Sequence, residues 1–307
     1  MKKRPVEATA YNEKWLDSAW GEHANEAFLS QEINNPRPRV LRALELDNVQ
    51  PGQVVLDIAC GRGEVPALLA EKGALAIGID FSVTSLDFAT KVKISRRENL
   101  NTGSMELIQA DACFLPFKDE SFDRITMLDI IEHLLPKQLE SMFSEVARLL
   151  KPGGFAVIHT LPNSWVYNVT FPIIHKFWRK IPADPRGEID RELHINEQDL
   201  PRLHHVLKQF GLNHRLWLEQ HMPAQSRRNS FGDQYGDNRD QFYPILTGPF
   251  GRALELISLT PAKFFLCNDI FGLLWNGCRP RAAKPKLGIS ENLIMRLPAR
   301  KKPKQNR

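Results

Sequence analysis

The chain has 307 residues, 42% of them hydrophobic and 25% charged, which suits a soluble globular protein with one large domain and additions. No uncharged apolar run reaches the roughly 20 residues of a membrane-spanning helix. The net charge of +5 is unevenly held: residues 279–307 carry ten Lys/Arg against one acid, a net +9, leaving −4 for residues 1–278, so the overall basicity is no argument for a nucleic-acid-binding body.

The N-terminus, Met1-Lys2-Lys3-Arg4-Pro5, has charge but no apolar stretch behind it, and predicts no signal peptide. The four cysteines, Cys60, Cys113, Cys267 and Cys278, show no C-x-x-C pairing. That is the pattern of reduced thiols in a cytoplasmic protein. Residues 1–50 read as an amphipathic helical cap, with Trp15, Leu16, Trp20 and Phe28 among polar neighbours. A break at residues 34–38 precedes a second short helix over residues 39–46. Trp15 and Trp20 read as packing residues of that cap.

Residues 54–56 form a β-branched apolar run after a Pro51-Gly52 turn signal, the signature of a buried parallel strand. Asp57 closes it, Gly61 and Gly63 follow, and residues 64–72 read as a helix stopped by Gly73. Pro66 fits in the first turn, where its missing N–H costs nothing. A strand, a glycine loop and a helix N-terminus in this order favour an anionic ligand group. A dinucleotide fingerprint would place its third glycine at position 66, which is Pro66, and this counts against NAD.

A second strand, residues 74–80, ends in Asp80, 19 residues after Gly61. A carboxylate there can accept both hydroxyls of a ribose. Ser82 is the expected N-cap of a helix bearing Leu86, Ala89 and Val92. Residues 105–112 are a third strand ending at Asp111, and residues 122–128 a fourth. Leu139, Met142, Phe143, Val146 and Leu150 recur at helical spacing over residues 136–150. Lys151-Pro152-Gly153-Gly154 ends that helix before a fifth strand, residues 155–160. Repeated strand–helix units demand a parallel sheet with right-handed crossovers.

Beyond Asn163, residues 164–193 mix aromatic and basic side chains. Asn196 is the expected cap, with Asp199 at the third position, of a helix carrying Leu200, Leu203, Leu207 and Phe210. A sixth strand follows at residues 213–219. Residues 220–268 read as an insertion, a polar loop and then apolar helices, and residues 269–275 as a candidate last strand.

Residues 54–63 resemble motif I of the class I S-adenosylmethionine-dependent methyltransferases, with Ala59 in place of the motif's first glycine. Leu115-Pro116-Phe117, Phe122-Asp123 and Leu149-Leu150-Lys151-Pro152-Gly153-Gly154 are similar to that family's L-P-F turn, F-D strand start and L-x-P-G-G segment, so the resemblance runs from Val54 to about Asn163. It implies a Rossmann-like α/β fold: seven strands, mostly parallel, the last antiparallel, with helices on both faces. It implies S-adenosylmethionine as cofactor, held by Asp57, Ala59, Gly61, Gly63, Asp80, Phe81, Asp111, Ala112 and Leu128. In the family pattern, Asp111 accepts from the adenine amine and the Ala112 N–H lies near the ring. The cap of residues 1–50 would lie over the pocket, and residues 164–193 would recognise substrate. The domain would then span residues 51–219 and recover its last strand at 269–278, before a basic tail at 279–307.

A sulfonium methyl is already electrophilic, so in-line positioning and exclusion of water supply much of the catalysis. A hydroxyl acceptor also needs a base, and His133 and His159 are the candidates, against a purely structural reading of each. A metal alternative comes from the resemblance of Asp129-x-x-Glu132-His133, with His194 later, to the E-x-x-E-H element of small-RNA 3′-end 2′-O-methyltransferases and of metal-dependent ubiquinone-pathway O-methyltransferases. If residues 129–133 start a helix, Asp129, Glu132 and His133 share one face. The apolar and aromatic insertions favour a small-molecule or lipid- or glycan-type acceptor. An RNA acceptor and an inactive cofactor-binding regulator are the alternatives. Residues 244–275 with the tail are expected to attach peripherally to an anionic membrane, or else to pack on the sheet with the tail as a solubilising segment.

Overall fold

The computed structural model describes residues 4–20, 25, 26, 29, 37–99, 102–219, 260 and 262–279. Phe28, the Trp20 side chain, most of the 220–268 insertion and the tail beyond Arg279 lie outside them.

Helices α1 (Glu13–Trp20) and α2 (Pro38–Asp47) precede β1 (Val54–Ile58), α3 (Glu64–Glu71), β2 (Leu75–Asp80), α4 (Val83–Ser95), β3 (Ser104–Gln109) and β4 (Phe122–Leu128). Then come α5 (Pro136–Leu149), β5 (Leu150–Thr160), α6 (Phe171–Phe177), α7 (Glu188–Leu193), α8 (Leu200–Gln209), β6 (Asn213–Glu219), α9 (Lys263–Leu266) and β7 (Asp269–Trp275). The sheet order is β3-β2-β1-β4-β5-β7-β6. The first five strands pair in parallel, and β7 is antiparallel to both β5 and β6.

Alternation along the strands divides the core between the two faces. Val55 joins Val40 and Leu44 of α2 with Leu69 of α3 on one side, whereas Leu56 and Ile58 join Phe143 and Val146 of α5 with Leu203 and Leu207 of α8 on the other. A third cluster seats Ala43 and Leu46 of α2 on Phe155, Val157, Trp217 and Phe271. Helix α2 therefore locks the N-terminal cap onto the centre of the sheet. The same helix buries a charge: Thr126 Oγ1 donates to Asp47 Oδ2 (3.1 Å) and Arg124 Nε to the Asp47 carbonyl (2.9 Å). Burial pushes the Asp47 carboxyl up to about 7 despite those donors.

Strand order reverses between β1 and β4, so the crevice beyond their carboxyl ends is where a doubly wound sheet takes its ligand. The chain expected there is shaped by its backbone. Gly61 and Gly63 have φ of +51° and +79°. A Cβ on Gly63 would stand 2.8 Å from the Ala89 Cβ and 2.9 Å from the Met105 Cε, so only glycine lets this loop close against α4.

Three local expectations need correction. Asp199, not Asn196, caps α8: its Oδ1 accepts from the Arg202 N–H at 2.9 Å, while Asn196 Oδ1 takes the Arg202 guanidinium. Residues 129–133 do not begin one helix. Asp129 sits in the left-handed region (φ 56°), and only Ile131–His133 form a 3-10 turn, so Asp129 and Glu132 do not share a helical face. Residues 269–275, offered as part of a membrane-attachment segment, are the fully buried β7, out of reach of any bilayer. Among the described residues no helix is long and apolar enough to cross a membrane.

Candidate active site

At the ends of β1 and β2, main chain and carboxylate interlock. The Gly61 N–H donates to Asp80 Oδ2 (3.0 Å) and the Ser82 N–H to Asp80 Oδ1 (2.9 Å). Asp80 thereby fixes the glycine loop relative to α4, whose cap is the Ser82 hydroxyl accepting from the Ser85 N–H. Burial raises the Asp80 carboxyl and these N–H donors oppose the rise. Asp57 is buried beside it, and burial, then Asp47 and Asp80, push its carboxyl well up. Ala59 holds φ 61°, a left-handed conformation that costs an L-residue about 1 kcal/mol. The position thus keeps the geometry for which glycine is the cheaper residue. Asp111 is exposed at the end of the loop after β3, its Oδ1 accepting from the Cys113 N–H (2.8 Å), with Ala112 buried behind it.

One side chain joins this loop to the end of β4. The Tyr11 ring stands edge-on to Phe81 (centroids 5.3 Å) and its carbonyl accepts from the Ser82 hydroxyl (2.9 Å). The Tyr11 hydroxyl meets His133 Nδ1 at 3.0 Å. Burial, with Glu132 and Asp80, raises the Tyr11 phenol beyond its ordinary range, so it stays protonated. His133 in turn stacks edge-on with His194 (4.9 Å). Burial, then His194, lower the His133 imidazole to about 3, against the opposing pull of Asp129 and the Leu193 carbonyl. The residue as a whole is nevertheless only partly buried.

Behind His133 lies a buried ionic chain. His159 Nδ1 pairs with Asp129 Oδ1 (2.5 Å), His159 Nε2 with Asp269 Oδ1 (2.9 Å), and Asp129 Oδ2 with Arg39 Nε (2.7 Å). Burial alone would lower His159, but Asp129 and Asp269 outweigh it and hold the imidazolium up to about 9. Asp129 is partly buried, which alone would raise its carboxyl, yet Arg39 and His159 depress it far below the ordinary range. Glu132 accepts from the Thr160 hydroxyl through Oε2 (2.6 Å), and its Oε1 has no partner among the described residues. Burial, then Asp129, push the Glu132 carboxyl up to about 8.

Residues 56–158 match the family described as Methyltransferase domain. Over those residues the chain carries a methyltransferase domain. An uncharacterized methyltransferase of Synechocystis is 34% identical over 128 residues, which is 40% of this chain and 56% of that protein. A demethylmenaquinone methyltransferase of Staphylococcus epidermidis is 29% identical over 175 residues, 54% of this chain and 70% of that one. The chain thus spans little more than half the length of the first of these relatives. Haemonchus contortus phosphoethanolamine N-methyltransferase 2, solved with S-adenosyl-L-methionine, superimposes over 91% of this chain and 62% of its own with a TM-score of 0.54 at 19% identity, a likeness of fold.

Within the methyltransferase domain, Asp57, Ala59, Gly61, Gly63, Asp80 and Phe81 lie at or just after the carboxyl ends of β1 and β2, Asp111 and Ala112 follow β3, and Leu128 closes β4. The two histidines proposed as bases part company. His159 is fully buried with both ring nitrogens engaged by carboxylates, so it has no free nitrogen for an acceptor's proton. His133 alone of the two faces the cap. The metal alternative loses Asp129, which Arg39 and His159 occupy, and keeps Glu132, His133 and His194, whose donor atoms lie within 4.8 Å of one another. Sequence reading missed Tyr11. Its only signal was a tyrosine among the polar and aromatic residues of a cap expected to overlie the pocket.

Proposed function

We propose that the chain binds S-adenosylmethionine at the β1–β2 crevice and transfers its methyl group to a small-molecule or lipid-type acceptor placed against the Tyr11–His133 pair. The observation that carries this reading is the bridge made by Tyr11. One side chain touches Phe81 at the cofactor end and His133 at the end of β4, which sets the two halves of a transfer site one residue apart. Burial keeps His133 neutral, the form that can accept a proton. A base lowered this far gives little drive to deprotonate an alcohol. The favoured acceptor is therefore nucleophilic by itself or carries an acidic hydroxyl, and positioning with exclusion of water does most of the work. The relatives named for demethylmenaquinone support a lipid-like small molecule.

Calorimetry with S-adenosylhomocysteine tests the cofactor half. Asp80→Ala removes a charged acceptor for the ribose and should weaken binding by about 2–3 kcal/mol. NAD binding, or an unchanged affinity in the variant, would refute the assignment. Release of S-adenosylhomocysteine with a cell extract as acceptor pool separates an enzyme from a cofactor-binding regulator.

A second reading is a divalent metal held by Glu132, His133 and His194. Glu132 Oε1 and His194 Nδ1, both buried, have no partner among the described residues, and two imidazoles with a carboxylate suit such an ion. That ion would hold an oxygen acceptor such as a vicinal diol, including the end of an RNA. Activity retained after exhaustive chelation, together with no metal uptake in equilibrium dialysis, would remove this reading.

A further inference from the structure

The segment after β5 presents an apolar stripe to solvent. Residues 166–170 form a π-helical turn that runs directly into α6, and Val169, Ile173 and Phe177 recur four apart along it. Their exposures are 36%, 53% and 84%. Spacing of four puts side chains on one helical face, and here that face turns outward. The segment is anchored alongside and at its start: Val166 is buried, Thr170 Oγ1 donates to the Phe265 carbonyl, and Trp165, four residues before Val169, packs on Phe265 (centroids 5.2 Å). Phe265 of α9 adds a 41% exposed ring beside the stripe.

The charges on the stripe's own segment have one sign, the first acid after it being Asp184, which is paired with Arg186. Residues 164–183 contain Lys176, Arg179 and Lys180 and no acid, and all three basic side chains are exposed. An apolar face flanked by basic residues, on a helix too short to span, is the composition of a segment that lies in the plane of a membrane surface. The basic rim complements anionic headgroups, whereas an ordinary protein surface mixes both signs around scattered apolar residues.

We infer that the face formed by Val169, Ile173, Phe177 and Phe265, with its Lys176–Arg179–Lys180 rim, docks the protein on an anionic lipid bilayer. The face shares no residue with those assigned to the cofactor crevice, so a loss of vesicle binding and a loss of S-adenosylhomocysteine binding are read separately. It also moves membrane attachment away from β7 to a segment that reaches solvent.

Flotation of the full chain with vesicles of phosphatidylcholine containing phosphatidylglycerol tests this at low and high salt. Wild type should co-float with anionic vesicles and much less with phosphatidylcholine alone. Ile173→Ser/Phe177→Ser should weaken vesicle binding by about tenfold or more, since two apolar side chains are withheld from the interface. Each of Lys176→Gln, Arg179→Gln and Lys180→Gln should cost about fivefold at low salt. These side chains are exposed, so the variants should fold, and unchanged S-adenosylhomocysteine affinity confirms that they do. Wild type remaining with the soluble fraction at low salt overturns the inference. So does equal flotation of wild type and the Ile173→Ser/Phe177→Ser variant, which would assign attachment to the basic tail. Concentration-dependent dimerisation abolished by the same substitutions, without flotation, would assign the face to a second copy.

Discussion

Two histidines stand deep in the protein near the end of the same crevice, and their surroundings drive them in opposite directions. His159, on β5, is gripped between Asp129 and Asp269 and is held charged to about pH 9. His133, after β4, faces Tyr11 and His194 and is held neutral down to about pH 3. Burial opposes the imidazolium at both positions; the difference is made by which neighbours are ionised. A charged, doubly bonded imidazole fixes structure. A neutral one that is only partly buried is available for chemistry.

Removing His159 should produce the largest effect. His159→Ala removes the imidazolium that lies between Asp269, which is buried, and Asp129, which is partly buried, and breaking a buried pair of this kind costs about 3–5 kcal/mol. Urea unfolding should show it as a lower midpoint. A loss under about 1 kcal/mol, the value of an ordinary hydrogen bond, would erase the distinction drawn between the two histidines.

How much of this contrast could be read in the sequence depends on how far apart its parts lie. The cofactor end was legible because β1, the glycine loop and α3 are consecutive, and Asp80 follows from the same strand–helix rhythm. The strand bounds predicted for β4, β6 and β7 match the structure residue for residue. Nothing local distinguished His133 from His159. Each follows or ends a strand, and the deciding group for His159 is Asp269, more than a hundred positions away and delivered by the antiparallel β5–β7 pairing. Tyr11 and Arg39 reach the site from a cap whose position over the sheet is set by packing of α2, not by any motif. The positive φ of Asp129, which turns it from Glu132 toward Arg39, also left no trace in the spacing.

A pH titration of stability comes next in size. The folded value of His159, about 9, stands above the unfolded value of about 6.5. Its contribution is therefore complete below about pH 6.5 and is lost as pH rises through about 9. The shift corresponds to roughly 3 kcal/mol at most. The unfolding free energy of wild type should fall over this window, and that of His159→Gln should fall less. Parallel profiles for the two proteins would mean that His159 is not the group that titrates.

His133→Ala should invert the pattern. Its ring meets a neutral hydroxyl and a backbone carbonyl where His159 meets two carboxylates, so stability should change by about 1 kcal/mol. S-adenosylhomocysteine affinity should hold, while turnover falls about 100-fold, the lower end of what a positioned acid–base group supplies. A variant that loses stability and keeps turnover would make His133 structural after all.

Tyr11→Phe gives the smallest expected effect and the finest resolution. The substitution deletes one hydroxyl and keeps the ring against Phe81 and Trp15, so the cap should remain seated and cofactor affinity unchanged. What is lost is the single bond to His133 Nδ1, worth about 1 kcal/mol, and turnover should drop by roughly five- to tenfold, the rate equivalent of that energy. Because burial holds the phenol protonated above its ordinary range, Tyr11 should add no limb of its own to the pH–rate profile, and wild type and variant should share one profile shape. Unchanged turnover would reduce the Tyr11–His133 contact to packing. A fall in S-adenosylhomocysteine affinity without a fall in turnover would instead make Tyr11 a clasp on the cofactor, and His133 would then lose the partner that links it to the methyl donor.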